Sequence, residues 1–205
     1  NIFAEIMAHG GDTVALEFDT LRHFYGAVSI EKKYYNLTLP DWITDDLYNQ
    51  LEGAIAEALD YVTGSAGFGY DEETELVRLQ GGFLLKEWIG NLQAAVAGKT
   101  TSYIAYSAHD STIVALLHTL QAKFATIDKG NPEYAATVVC ELWKRDDGQF
   151  YVKMMYADDA YTELRPITRN IKGCPPDSDF CGIQSFIDRS ANYIPKSDRD
   201  CNPFA

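Results

Sequence analysis

The hydrophobic and polar positions between Thr44 and Val62 repeat with the period of an α-helix. The apolar positions form one stripe along this segment: Leu47, Leu51, Ala54, Ile55, Ala58, Leu59 and Val62. Thr44 is a suitable N-cap, the two residues after it are acidic and lie at the positive end of the helix dipole, and Gly64 provides a natural stop. The pattern therefore predicts a helix over 44–62.

The segments on either side of this helix have less regular patterns. Residues 12–25 carry apolar side chains at helical spacing and predict a further helix. Residues 30–40 are rich in tyrosine and are predicted to be irregular. Residues 64–70 contain three glycines and are predicted to form a loop.

A second clear helical pattern runs from Val77 to Val96 and ends before Gly98. Its apolar residues keep near-helical spacing: Leu79, Phe83, Leu84, Trp88, Leu92 and Ala95. The tandem pair Gly81-Gly82 inside this segment costs about 2 kcal/mol relative to alanine in a helix. We therefore expect another part of the chain to pack closely there, the alternative being a helix that begins only at Gly82.

The second half of the chain alternates between strand and helix patterns. Strands are predicted over 102–106, 138–143 and 150–156, and helices over 111–120 and near 183–189. An Asp-Gly pair between the last two strands predicts a hairpin. The fold class is therefore predicted as α/β, with a helical portion over 1–76 and a mixed α/β portion over 77–205.

Composition and charge narrow the range of functions. The chain has 205 residues, 46% hydrophobic and 23% charged, which are values of a globular protein. No apolar run approaches the roughly 18 residues that span a bilayer, and the first residues do not form a signal peptide. The net charge of −13 repels the phosphates of nucleic acid, so no nucleic-acid partner is expected. Because the chain begins with Asn, we expect a processed product or a fragment.

The cysteines and one sequon favour an oxidising compartment. Cys174 and Cys181 flank a short polar loop with two prolines, which suits a local disulfide. Asn36 begins the only N-glycosylation sequon. Cys140 lies in an apolar run and suits a buried thiol, whereas a free thiol at Cys201 would be a liability outside the cell. The alternative is a cytosolic protein with four free thiols.

The segment that joins the predicted strand 102–106 to the next helix carries the most suggestive chemistry. It reads Tyr-Ser-Ala-His-Asp-Ser-Thr and contains His109 and Asp110. The N-terminus of a helix presents free N–H groups and a partial positive charge, which suits a phosphate group. A histidine can donate a hydrogen bond to that anion, and an aspartic acid can protonate a leaving group. The pair is therefore a candidate for phosphate binding and general acid catalysis, although such pairs are often merely structural.

A metal site at the same histidine is the alternative chemistry, since His-Asp is also the centre of the HD-type metal phosphohydrolases. His118 lies about 180° around a helix from His109, so one helix cannot direct both into one site. His118 is interpreted as a surface or packing residue, and His9 and His23 show no ligand spacing with each other. We therefore expect neither a metal nor another cofactor.

Three motifs occur in order along the chain: Asn36-Leu-Thr-Leu-Pro-Asp-Trp42, Arg78-Leu-Gln-Gly-Gly82 and Tyr106-Ser-Ala-His-Asp-Ser-Thr112. In this order and at similar separations, they resemble motifs of the histidine acid phosphatases, in particular the prostatic and lysosomal branch. The resemblance covers nearly the whole chain. It implies a phosphatase of phosphate monoesters that uses a phosphohistidine intermediate, with a mixed-sheet core, helices on both faces and a helical cap. His109 would bind the phosphoryl group, and Asp110 would be the general acid.

The chain also departs from the pattern of this family. The segment Arg-His-Gly-x-Arg-x-Pro, which supplies the nucleophile and two phosphate-binding arginines, is absent. We therefore expect the C-terminal part of such an enzyme: 1–76 from the cap domain and 77–205 from the core, inactive in isolation and secreted or lysosomal when complete. A homodimer is one oligomeric state that the resemblance implies, and the sequence leaves this open. The alternative function is that of an inactive secreted relative that acts as a binding or antigenic protein.

Overall fold

A computed structural model describes residues 2–10, 17–99, 103–127, 130–197 and 200. The helices of these residues are α1 Ile2–Gly10, α2 Phe18–Lys33, α3 Asp45–Val62, α4 Thr74–Val96, α5 Asp110–Thr119, α6 Lys123–Thr126 and α7 Ile183–Ser190. The strands are β1 Thr137–Lys144, β2 Phe150–Ala157, β3 Arg165–Pro166 and β4 Cys181–Gly182, and two 3-10 turns cover Thr168–Asn170 and Ala191–Tyr193. The predicted α/β class is confirmed.

The described residues form two compact units, one up to Ala58 and one from Leu59 onward. This division falls within α3. The predicted assignment of 1–76 to a cap domain and 77–205 to a core domain concerns the domains of a complete family member, and it stays a prediction.

The helix predicted over 44–62 is present as α3, with the predicted cap. The Oγ1 atom of Thr44 accepts a hydrogen bond from the backbone N–H of Leu47 at 3.2 Å. Gly64 follows the helix with a φ of 93°, a left-handed conformation that glycine adopts without steric cost. Both ends of α3 are therefore encoded by local residue chemistry.

The prediction for the preceding segment is wrong at its C-terminal boundary. Residues 12–16 lie outside the described residues, and α2 continues to Lys33 through positions that we predicted to be irregular. The last turn is held by contacts that local patterning does not reveal, because Lys32 pairs with Asp45 and Lys33 with Glu52, both on α3. The core of this unit is formed by five buried residues: Ile6, Leu21, Leu47, Leu51 and Ile55.

The predicted hairpin is confirmed in the second unit. β1 and β2 pair antiparallel from Thr137 opposite Ala157 to Lys144 opposite Phe150. Gly148 closes the turn with a φ of 78°, and the carboxylate of Asp147 accepts a hydrogen bond from the N–H of Gln149 at 2.8 Å. β2 also pairs antiparallel with the two short strands β3 and β4.

One face of the hairpin forms the core of this unit with the surrounding helices. Val152, Met154 and Tyr156 alternate along β2 and are fully buried. They belong to one cluster with residues of α4, α5 and α7, among them Leu85, Leu117 and Phe186. The helices are thereby fixed against the sheet by hydrophobic burial.

The glycine pair of α4 is a point of close helix packing, as predicted. A Cβ atom at Gly81 would overlap the backbone carbonyl of Ala115 on α5, and one at Gly82 would overlap the carbonyl of Tyr193. α4 therefore lies between α5 and the turn 191–193. The buried face differs from the predicted stripe, because close neighbours on two sides bury Val77, Gly81, Gly82, Leu85, Ile89 and Leu92.

The strand predicted over 102–106 is wrong for its described residues. Residues 103–109 have neither helical nor strand structure and are exposed. A strand requires a neighbouring strand for its backbone groups, and the described strands pair only with one another. The apolar character of these positions alone does not supply that partner.

None of the helices in the described ranges has the length and apolar character that crossing a membrane would require.

Candidate functional site

His109 and Asp110 lie at the N-terminus of α5, as predicted from the sequence. His109 is the N-cap residue with extended backbone angles (φ −92°, ψ 165°), and Asp110 is the first residue of the helix. The carbonyl oxygen of His109 accepts hydrogen bonds from the N–H groups of Thr112 and Ile113 at 3.1 and 3.3 Å. The backbone of this turn is therefore held by the first turn of the helix.

Both candidate side chains are open to solvent. Residues 103–110 are all exposed, and the imidazole of His109 makes no cap hydrogen bond. One carboxylate oxygen of Asp110, Oδ1, accepts a hydrogen bond from the N–H of Ser111 at 2.7 Å. An imidazole, a carboxyl group and the positive end of a helix dipole are thus presented together on one exposed turn, an arrangement suited to an anion.

The C-terminal part of α5 is buried, which fixes the direction in which this turn points. Every residue from Val114 to Thr119 is buried. The backbone of α5 approaches α4 at Gly81, where a larger residue would overlap Ala115. The helix is therefore held along its length by the core, while its first residue and its cap residue project into solvent.

The loop before the turn is attached to α4 through Tyr106. Its hydroxyl donates a hydrogen bond to Glu87 Oε1 at 2.9 Å and accepts one from Asn91 Nδ2 at 3.0 Å. Burial raises the pKa of Tyr106, and the bond to Glu87 raises it further. The sequence alone does not predict this attachment. The spacing of Glu87 and Asn91 places them on one helix face, but it does not identify their partner.

A second cluster of ionisable groups lies in the interior. It was not predicted from the sequence. Asp60 Oδ1 lies 2.9 Å from His118 Nε2, and Asp60 Oδ2 accepts a hydrogen bond from Lys123 Nζ at 2.8 Å. The side chains of all three residues are at most 6% exposed. Of the two interpretations of His118, a surface or a packing residue, the structure shows the packing residue and excludes the surface one. No local pattern connects Asp60 with residues about sixty positions later in the chain.

The other predicted positions are distributed over the surface and the interior. Cys174 and Cys181 form the predicted disulfide, with their Cα atoms 5.2 Å apart. Asn36 is exposed, so its glycosylation stays a prediction. Cys140 is a free and half-buried thiol, and burial raises its pKa to about 12. Cys201 lies outside the described residues.

The remaining histidines have local partners. His9 stacks on Trp42 with ring centroids 4.7 Å apart, and His23 lies 3.4 Å from a carboxylate oxygen of Asp19. Within the ranges that the structure covers, no group of three or more His, Cys, Asp or Glu side chains is arranged to hold a metal ion.

The exposed His-Asp turn lies within a region that matches a known protein family. Residues 15–157 match the histidine phosphatase superfamily (branch 2). Because this match covers more than half of the chain, the chain belongs to that superfamily. The resemblance recognised from the three sequence motifs is confirmed.

Curated relatives of the chain are acid phosphatases. It is 29% identical to lysosomal acid phosphatase of Rattus norvegicus over 195 residues. The aligned region covers 95% of this chain and 43% of the relative. It is 30% identical over 161 residues to prostatic acid phosphatase of Bos taurus, covering 78% of this chain and 38% of the relative. The chain therefore spans about two fifths of the length of these relatives.

Proposed function

We propose that this chain is the C-terminal part of an acid phosphatase that hydrolyses phosphate monoesters through a phosphohistidine intermediate. The observation that carries this proposal is the exposed pair His109 and Asp110 at the N-terminus of a buried helix. The names of the curated relatives support the substrate class. The coverage of two fifths of their length supports the assignment to one part of a longer enzyme.

The residues of the turn have separate roles in this proposal. The imidazole of His109 and the positive end of the α5 dipole stabilise the oxygens of the phosphoryl group. Asp110 is the general acid: its Oδ1 atom is engaged by the N–H of Ser111, so Oδ2 carries the proton that is transferred. Neither role requires a metal ion or another cofactor.

The reaction has two steps. In the first, a histidine nitrogen from upstream of this chain attacks the phosphorus atom, an N–P bond forms, and the ester P–O bond breaks. Asp110 transfers its proton to the departing oxygen, which leaves as the alcohol. In the second, the Asp110 carboxylate accepts a proton from water, whose oxygen attacks phosphorus while the N–P bond breaks. Phosphate is released and Asp110 is again protonated.

The same proposal extends to the compartment and to the isolated chain. A disulfide between Cys174 and Cys181, the exposed sequon at Asn36, and relatives named lysosomal and prostatic favour a secreted or lysosomal protein. We propose that the 205-residue chain alone is inactive, because the sequence lacks the nucleophile segment. A homodimer is the proposed state of the complete enzyme.

The missing nucleophile segment also supports a second candidate, an inactive secreted relative that acts as a binding or antigenic protein. In that case the segment Arg-His-Gly-x-Arg-x-Pro would be altered or lost upstream of Asn1. The upstream coding sequence distinguishes the two candidates directly. An intact segment supports the phosphatase, and a disrupted one supports the inactive relative.

The roles in the turn are tested by Asp110→Asn in the full-length protein. We expect kcat/KM for an alkyl phosphate to fall by about 100-fold or more, the range of general acid catalysis. The loss should be smaller for p-nitrophenyl phosphate, because p-nitrophenolate leaves without protonation. Initial rates with both esters measure the difference.

The matched control is Asp146→Asn, which removes an exposed carboxylate from the hairpin turn. It should leave both rates unchanged. Equal rates for wild type and Asp110→Asn would remove Asp110 from the mechanism. A burst of product from the purified 205-residue chain would contradict its proposed inactivity.

A further inference from the structure

Residues 103–108 lead directly to the candidate site. Residues 103–108 form no secondary structure, and within the described part of the chain their backbone groups make no hydrogen bond to another residue. His109 follows directly and is exposed, as is Asp110. The side-chain contacts at the end of this segment therefore bear on the position of the two candidate groups.

Tyr106 attaches the loop to α4 by both hydrogen-bonding functions of its hydroxyl. The O–H group donates to the carboxylate of Glu87, and the oxygen accepts from the side-chain amide of Asn91. A hydrogen bond to an ionised group is stronger than one between neutral groups. The two partners lie one helical turn apart, so the hydroxyl is fixed in two directions by one rigid helix.

The ring of Tyr106 also contacts α4. Its centroid lies 6.4 Å from that of Trp88, which precedes Asn91 by three residues on the same helix. Burial and the carboxylate raise the pKa of the phenol, so its proton remains available as a donor at acid and neutral pH. The same helix is packed against α5 through Gly81, so α4 is in contact with the chain on both sides of the His-Asp turn.

We propose that Tyr106 is a positioning residue for the phosphatase reaction: its hydroxyl, held between Glu87 and Asn91, sets the place from which His109 and Asp110 meet the phosphoryl group. This inference rests on the function proposed above. Tyr106 itself does not touch the reacting atoms. It acts through the two residues that separate it from His109.

The energetic reason is the sensitivity of proton transfer and phosphoryl binding to distance. A displacement of about 1 Å at a catalytic group can lower a rate by about 100-fold. Without the hydroxyl, the ring contact with Trp88 remains but the two directional bonds are lost. The turn would keep its helix cap while the loop before it samples more positions.

The test compares Tyr106→Phe with Tyr103→Phe in the full-length protein. Both changes remove one hydroxyl from the same loop, but Tyr103 is 81% exposed, whereas Tyr106 is bonded to α4. We expect Tyr106→Phe to lower kcat/KM for an alkyl phosphate by about tenfold, with a smaller loss for p-nitrophenyl phosphate. The thermal midpoint should change little, because both bonds of the Tyr106 hydroxyl are exposed, and Tyr103→Phe should leave both rates unchanged.

A pair of changes at the partner residue separates positioning from general stability. Glu87→Gln keeps an oxygen that can accept the phenolic hydrogen bond, so it should retain most of the activity. Glu87→Ala removes the acceptor and should resemble Tyr106→Phe, including the larger loss with the alkyl ester. A simple loss of stability would lower kcat/KM for the alkyl ester and for p-nitrophenyl phosphate by the same factor.

The outcomes distinguish this inference from the proposed function. A full-length wild-type protein without phosphatase activity would overturn the function and this inference with it. An active wild type whose rates are unchanged by Tyr106→Phe would overturn only the role of Tyr106. An equal loss in Tyr103→Phe and Tyr106→Phe, or an equal loss for both esters, would overturn it as well.

Discussion

A histidine and an aspartate lie at each end of α5, in opposite environments. At its N-terminus, His109 and Asp110 are exposed, and the imidazole makes no cap hydrogen bond. At its C-terminal end, His118 is 5% exposed and is paired with Asp60, which also binds Lys123. Seven residues of the helix, 111–117, separate the exposed Asp110 from the buried His118.

The difference shows that residue type alone does not define a site. A buried carboxylate is stable only when cations or hydrogen-bond donors compensate the lost hydration, and Asp60 has two such partners. The hydrogen-bonding groups of Asp60 and its partners then stabilise the fold and are not available to bind a ligand. An exposed imidazole and carboxyl group keep that capacity for a ligand. We therefore expect the inner end of α5 to govern stability and the outer end to govern turnover.

The largest effect on stability is expected from Asp60→Ala. This change leaves the ammonium group of Lys123 buried without its carboxylate, which should lower the free energy of unfolding by about 3–5 kcal/mol. The matched change Asp110→Asn, at the exposed end, should alter it by less than about 0.5 kcal/mol. Urea unfolding followed by circular dichroism measures both values.

A double variant shows whether the unpaired charge is the cause. Asp60→Leu combined with Lys123→Met removes both charges and should recover much of the stability lost in Asp60→Ala. If Asp60→Ala were as stable as Asp110→Asn, the contrast between the two ends of the helix would be wrong.

The close packing of α4 against α5 and against the turn 191–193 gives a smaller expected effect on stability. Gly81→Ala and Gly82→Ala each force a Cβ atom into a backbone carbonyl and should cost about 1–3 kcal/mol. Gly90, on the same helix, has open space at this position, so Gly90→Ala should stabilise by about 0.5–1 kcal/mol. Thermal unfolding of the three variants provides the comparison, and a neutral Gly81→Ala would show that the helices can separate without cost.

The smallest effect on stability is expected at Asp45, the first residue of α3. The same helix carries Asp60 near its C-terminal end. A hydrogen bond from Lys32 lowers the pKa of this exposed carboxyl group. Since the folded-state pKa lies below the unfolded one, its contribution is present at neutral pH and is lost as the pH falls through the lowered pKa. Any difference in thermal midpoint between wild type and Asp45→Asn should be small at pH 7 and should vanish in strong acid. A difference that grows in acid would contradict this sign.

Much of the local structure could be predicted because its causes lie within a few residues. The cap at Thr44, the stop at Gly64 and the turn at Gly148 depend on backbone geometry that the residue itself permits. The continuation of α2 to Lys33 could not be predicted, because it depends on ion pairs with a different helix. The strand expected over 102–106 has, for its described residues 103–106, no pairing partner among the described strands, and apolar patterning does not indicate whether such a partner exists.

The candidate site divides in the same way. The sequence by itself determined that His109 and Asp110 stand where a helix begins, because helix periodicity starts immediately after them. Only the tertiary structure decided that His118 is buried against Asp60 and that Tyr106 is bound to α4. These contacts join residues far apart in the chain, and their energies depend on which side chains share a desolvated space. That information arises only when the helices pack.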